Sequence, residues 1–178
     1  MPRQTWLATL HDQMDHIPAR VIDLFAEPPT ALSKLFVSRF PKAASGDHPA
    51  PLWVDALAFS SPPWHSEGNR HLATGTLLYA YPPPRLLQTV FARIERDRTP
   101  STLVVMPLHS QRAMPSFERP LTATPTLTSV AVQDLVIPEG SNPQMTAAHG
   151  ERLDLIAGLL SGQPDLRKAY QLQRYGEL

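Results

Sequence analysis

Near the start of the chain, Trp6, Leu7, Leu10, Met14 and Ile17 recur at three- and four-residue spacing. That period predicts an amphipathic helix over residues 5–16, stopped by Pro18. The run RVIDLFA at 20–26 is β-branched and aromatic, ends at Glu27-Pro28-Pro29, and reads as a buried strand. Residues 31–40 read as a short helix, and 41–51 as a polar turn region. Residues 52–59 are apolar apart from Asp55. Residues 60–75, with Pro62-Pro63 and Gly68, form a loop carrying Trp64, His65 and His71.

The clearest passage follows. TLLYAY at 76–81 reads as a strand that runs straight into Pro82-Pro83-Pro84. Beyond the prolines, Leu86, Leu87, Val90, Phe91 and Ile94 make one apolar stripe at helical period, with Arg85, Arg93, Glu95, Arg96 and Arg98 on the other side. Proline suits a first helical turn, because its missing N–H would be unpaired there anyway. Pro100 closes the helix, and STLVVMPL at 101–108 is a second buried strand. Strand, helix and strand in so short a span form a βαβ unit, which predicts parallel neighbours. Residues 126–137 hold a further strand or two, and 138–143 read as a linker. Residues 145–160 and 165–175 read as helices, separated by Ser161-Gly162-Gln163-Pro164. Their stripe, from Leu153 and Ile156 to Tyr170 and Leu172, is core docking back onto the sheet or a partner surface. The expected architecture is therefore α/β: a mostly parallel sheet with flanking helices over 1–138, then a linker and helical C-terminal extension over 139–178.

Composition narrows the classes. With 178 residues, 42 % hydrophobic and 18 % charged, the chain can bury a core and lacks the charge of a disordered tail. Sixteen basic residues balance sixteen acidic ones. That excludes blanket phosphate neutralisation as the main mode of holding nucleic acid and leaves only local contacts. Cysteine is absent, so disulfides, thiolate zinc sites, iron–sulfur clusters and cysteine nucleophiles are excluded. No apolar run approaches the roughly 20 residues that span a bilayer. The N-terminal region has no signal-like apolar stretch, so an intracellular protein with no membrane contact is expected. Twenty prolines against eight glycines confine helices and strands to the gaps between prolines.

Ligands of open α/β sheets bind beyond the carboxyl ends of the strands. Three places qualify: 23–27 after the first strand, Asp55 with its loop, and 81–85. The proline turn is the most distinctive, since it holds Tyr81 extended at the end of its strand. It also has a plain reading as punctuation between strand and helix. His65, His71 and Glu67 share a loop but match no metal-ligand spacing, and no metal site is expected. His109 stands beside Ser110 without a nucleophile elbow around it. The arginine face of the helix is either solvated or a nucleic-acid contact.

Taken in order, several of these features resemble one family. They are Val21-Ile22-Asp23-Leu24-Phe25-Ala26, Asp55-Ala56-Leu57, Trp64, and Leu78-Tyr79-Ala80-Tyr81-Pro82-Pro83. After them come the helix with Arg93-Ile94-Glu95-Arg96-Asp97 and the strand Leu103-Val104-Val105-Met106-Pro107. The chain resembles the adenine methyltransferase-like domain, of phage Dam type, found downstream of RNase H in tyrosine-recombinase retroelements of the DIRS and Ngaro kind. The likeness covers residues 5–121. It implies a Rossmann-like fold that binds S-adenosylmethionine and methylates adenine N6. It also implies Asp23 and Asp55 as cofactor contacts, and Tyr81, Pro82 and Pro83 as the catalytic motif.

In that chemistry an Asn or Asp before Pro-Pro accepts the exocyclic amine's hydrogen bonds, and an aromatic residue after it stacks on the flipped base. Here Tyr81 and Pro84 occupy those positions. The expected function is accordingly a degenerate, non-catalytic domain of retroelement origin that binds protein or nucleic acid, with no cofactor. The alternatives are an active S-adenosylmethionine-dependent methyltransferase and a structural subunit of a ribonucleoprotein or organellar complex.

Overall fold

The computed structural model describes residues 20–26, 35–38, 51, 53–58, 64, 76–99, 101–110, 114–131 and 152–176. Within them lie β1 (Arg20–Ala26), β2 (Leu35–Ser38), β3 (Trp53–Val54), β4 (Thr76–Ala80), α1 (Leu87–Arg96), β5 (Thr102–Pro107), α2 (Met114–Glu118), β6 (Thr126–Ala131), β7 (Arg152–Leu160) and α3 (Pro164–Tyr175). The expected helix at 5–16 and linker at 138–143 lie outside the described residues, as do His65, Glu67 and His71.

One seven-stranded sheet runs in the order β3-β2-β1-β4-β5-β7-β6. The first five strands pair in parallel, and β7 runs antiparallel to both neighbours. The mostly parallel α/β sheet expected from the sequence is therefore present. Its parallel part has the 3-2-1-4-5 order of Rossmann-type sheets.

Alternation sorts the side chains onto two faces. Ile22, Leu24, Leu78, Ala80, Val104, Met106, Ile156 and Leu160 share one face. Against it pack Leu87, Val90, Phe91 and Ile94 of α1, Phe117 of α2 and Tyr170 of α3. Gly158 of β7 lies on this face too. A β-carbon there would collide with the Phe117 ring and come within 2.8 Å of Leu121, so the missing side chain is what lets α2 seat. The opposite face carries Leu77, Tyr79, Leu103, Val105, Leu155 and Ala157.

Two expected elements are corrected. Within the helix expected at 145–160, residues 152–160 form β7, which lies inside the sheet and is buried on both faces from Leu155 on. A strand covered on both sides needs no polar alternation, and its continuous apolar run imitates a helical stripe. Within the helix expected at 31–40, residues 35–38 form β2 for the same reason. The final helix appears as expected. It starts at Pro164, where proline again suits a first turn, and ends before Gly176 at φ 72°.

Candidate functional site

The strand order reverses between β1 and β4, and a doubly wound sheet places its ligand crevice beyond the carboxyl ends at such a reversal. β4 delivers Tyr81 there, followed by Pro82, Pro83 and Pro84. Pro83 is extended at φ −51° and ψ 141°, and a single tight turn over Pro84–Leu86 precedes α1. The amides of Leu86 and Leu87 bond the carbonyls of Pro83 and Pro84. The prolines have no amide to give. Little of the anion-binding capacity of a helix start is left. Partial burial, which leaves 37 % of Tyr81 exposed, pushes its phenol above the ordinary pKa.

Asp23 does not stand after the first strand as expected. It lies inside β1, opposite Phe36 of β2 and Tyr79 of β4, and is buried. Its Oδ1 accepts the Phe25 amide at 3.2 Å. Asp55 does lie at a carboxyl end, directly after β3, with a positive φ of 59° that Asp tolerates better than most residues. Its amide donates to the Ser38 carbonyl at 2.8 Å, and its Oδ1 accepts the Leu57 amide at 3.0 Å. Three strand spacings separate β3 from β4, roughly 14 Å. Asp55 and Tyr81 therefore do not converge on one small group.

These ends expose apolar side chains beside the exposed Asp55, Arg85 and His109. Six large hydrophobic side chains are exposed among the described residues. Val54, Tyr81 and Leu108, half of them, follow or end β3, β4 and β5. His109 and Ser110 come next after Leu108. The Ser110 hydroxyl has no hydrogen-bond partner, so no Ser–His pair forms. Among the described residues, no three His, Asp or Glu side chains group as metal ligands, and no helix is long and apolar enough to cross a membrane.

The arginines of α1 do not form one basic face. Arg93 is 5 % exposed and points inward. It donates to the carbonyls of Leu57 and Ala58 at 3.0 and 2.8 Å, pairs with Asp97, and lies 6.0 Å from the Trp64 ring centre. Trp64 is fully buried, donates from Nε1 to the Ala56 carbonyl, and accepts the Thr99 hydroxyl at 2.9 Å. This staple fixes the turn that carries Asp55 against α1. One signal for it was available in the sequence: Arg93 falls three residues after Val90 and seven after Leu86, on the flank of the apolar stripe.

Comparison with known proteins finds no matching family model and no matching curated protein.

Proposed function

We propose that this chain is a degenerate, non-catalytic adenine-methyltransferase-like domain of retroelement origin, and that it acts by binding a partner through the carboxyl-end rim of its sheet. The observation that carries the reading is the exposed Val54, Tyr81 and Leu108 at three strand ends where an enzyme of this kind needs polar groups. The resemblance calls for a carbonyl acceptor before Pro-Pro, and Tyr81 supplies a protonated phenol instead. Losing such an acceptor costs orders of magnitude in rate. The same ends fit S-adenosylmethionine poorly. Asp23 is buried with its Oδ1 on the Phe25 amide, and the proline turn has few amides to offer. The Rossmann-type order of the parallel strands supports descent from such an enzyme without requiring its activity.

Calorimetric titration with S-adenosylmethionine is expected to give no saturable heat, and adenine-containing oligonucleotides no methyl transfer. Micromolar binding lost in Asp55→Ala, or transfer lost in Tyr81→Phe, would overturn the reading. In the native cell, a photo-crosslinker at position 81 or 108 is expected to capture a partner that one at Gln171 on α3 does not. Equal capture at both places would count against the rim.

A further inference from the structure

The two edges of the sheet differ. β3 ends one edge with two residues, whereas β6 ends the other with six, TLTSVA. β6 contains no charged residue and no proline, two of the usual devices that guard an exposed edge. Leu127 on it is 64 % exposed, the most exposed large apolar side chain among the described residues.

Which backbone groups of β6 face outward follows from the ladder. The Asp154 carbonyl accepts the Leu108 amide on the β5 side at 2.8 Å, and the Leu159 carbonyl accepts the Thr122 amide on the other side at 2.9 Å. Backbone groups alternate along a strand, so odd-numbered residues of β7 face β6. Their partners Thr126, Thr128 and Val130 therefore turn toward β7. Leu127 and Ser129 turn their amides and carbonyls outward. One of these is already served: the Arg152 guanidinium donates to the Ser129 carbonyl at 2.6 Å and to its hydroxyl at 3.0 Å.

We propose that β6 is a docking edge for a second copy of this chain, paired antiparallel about a two-fold axis through Leu127. In that register the two Leu127 residues exchange amide-to-carbonyl bonds, and each Ser129 amide reaches the carbonyl of Pro125 in the other copy. Pro125 has no N–H to return. The carbonyl it would have served is the Ser129 carbonyl that Arg152 already occupies. The missing donor and the satisfied acceptor thus meet, and no pairing group of Leu127 or Ser129 is orphaned. The two exposed Leu127 side chains lie opposite each other on one face, and the uncharged strand sets no like charges against each other. An extended strand from another protein has no reason to carry a residue without an amide opposite Ser129, whereas this chain supplies one by symmetry.

Sedimentation velocity of the full chain, from about 1 μM to about 500 μM, is expected to show a concentration-dependent dimer. Leu127→Lys and Leu127→Glu are each expected to weaken it by at least about tenfold, because like charges then stand directly opposite. An equal mixture of the two is expected to regain the dimer, since residue 127 faces itself. Leu127→Pro closes the edge another way. The amide it removes points outward, so the bonds to β7 survive, and circular dichroism checks that each variant folds. A wild-type monomer at every concentration, a Lys variant that dimerises like wild type, or a mixture that fails to regain the dimer would each overturn the proposal.

Discussion

The carboxyl ends of the sheet and the far end of α1 are built in opposite ways. At the carboxyl ends, Val54, Tyr81 and Leu108 are exposed. At the far end of α1, Thr99 and Ser161 are fully buried and bonded. The Thr99 carbonyl accepts both the Ser161 hydroxyl and the Gly162 amide, at 3.1 and 2.8 Å. Gly162 packs so closely that a β-carbon would collide with the Ile94 carbonyl and lie 2.8 Å from the Arg98 Cα. Among the described residues, the buried polar bonds at this end hold the scaffold. An enzyme concentrates such bonds instead where charge develops during reaction. The contrast is one support for the proposed reading of a domain that binds rather than catalyses.

The largest test of that contrast is Trp64→Ala, which removes a fully buried indole from the staple and is expected to cost about 3–5 kcal/mol in urea unfolding. A loss under about 1 kcal/mol would mean the staple holds nothing. Next is Asp97→Asn, expected to cost about 2 kcal/mol near neutral pH by weakening the charged bonds to Arg93 and Arg96. Burial alone pushes the Asp97 carboxyl up. The hydrogen bonds and charges of Arg96 and Arg93 outweigh that and hold it below its ordinary 3.8. A depressed carboxyl stabilises the fold above its unfolded pKa, and that stability is lost as pH falls through the folded one. The gap between wild type and Asp97→Asn should therefore close in acid below about pH 4. A gap constant with pH would remove the ionic part of the argument.

Smaller again is Arg98→Gly. Arg98 has φ 48° just past the end of α1, where the Thr99 amide returns to the Ile94 carbonyl at 3.0 Å. That closure usually employs glycine. Relief of left-handed strain less the entropy of glycine leaves an expected gain of about 0.5–1 kcal/mol. The smallest effect belongs to the carboxyl ends. Tyr81→Phe is expected to leave unfolding within about 0.5 kcal/mol of wild type, and a larger cost would make the phenol part of the scaffold.

The unit β4–α1–β5 was legible because its three parts carry their own signals: a short apolar run, a proline start, and a stripe at period 3.6. β7 and β2 were not, because burial on both faces erases the alternation that distinguishes a strand. In the sequence Asp23 reads both within the 20–26 strand and as the start of a candidate ligand site after it, because acids seldom lie inside a sheet. The pairing with β2 and β4 decides for the strand interior. Of the staple, only the place of Arg93 on the flank of the apolar stripe was legible, and its partners were not. The bonds from Arg93 to Leu57 and from Thr99 to Trp64 cross 36 and 35 residues of chain, and a local pattern does not name such partners.

The brevity of β3 has a consequence for growth. A sheet with two long bare margins adds copies without limit and ends as a fibre. Among the described residues β3 offers only two, and the proposed pairing at β6 closes through its own two-fold axis. With so short a stump at the opposite margin, the proposed assembly ends as a pair.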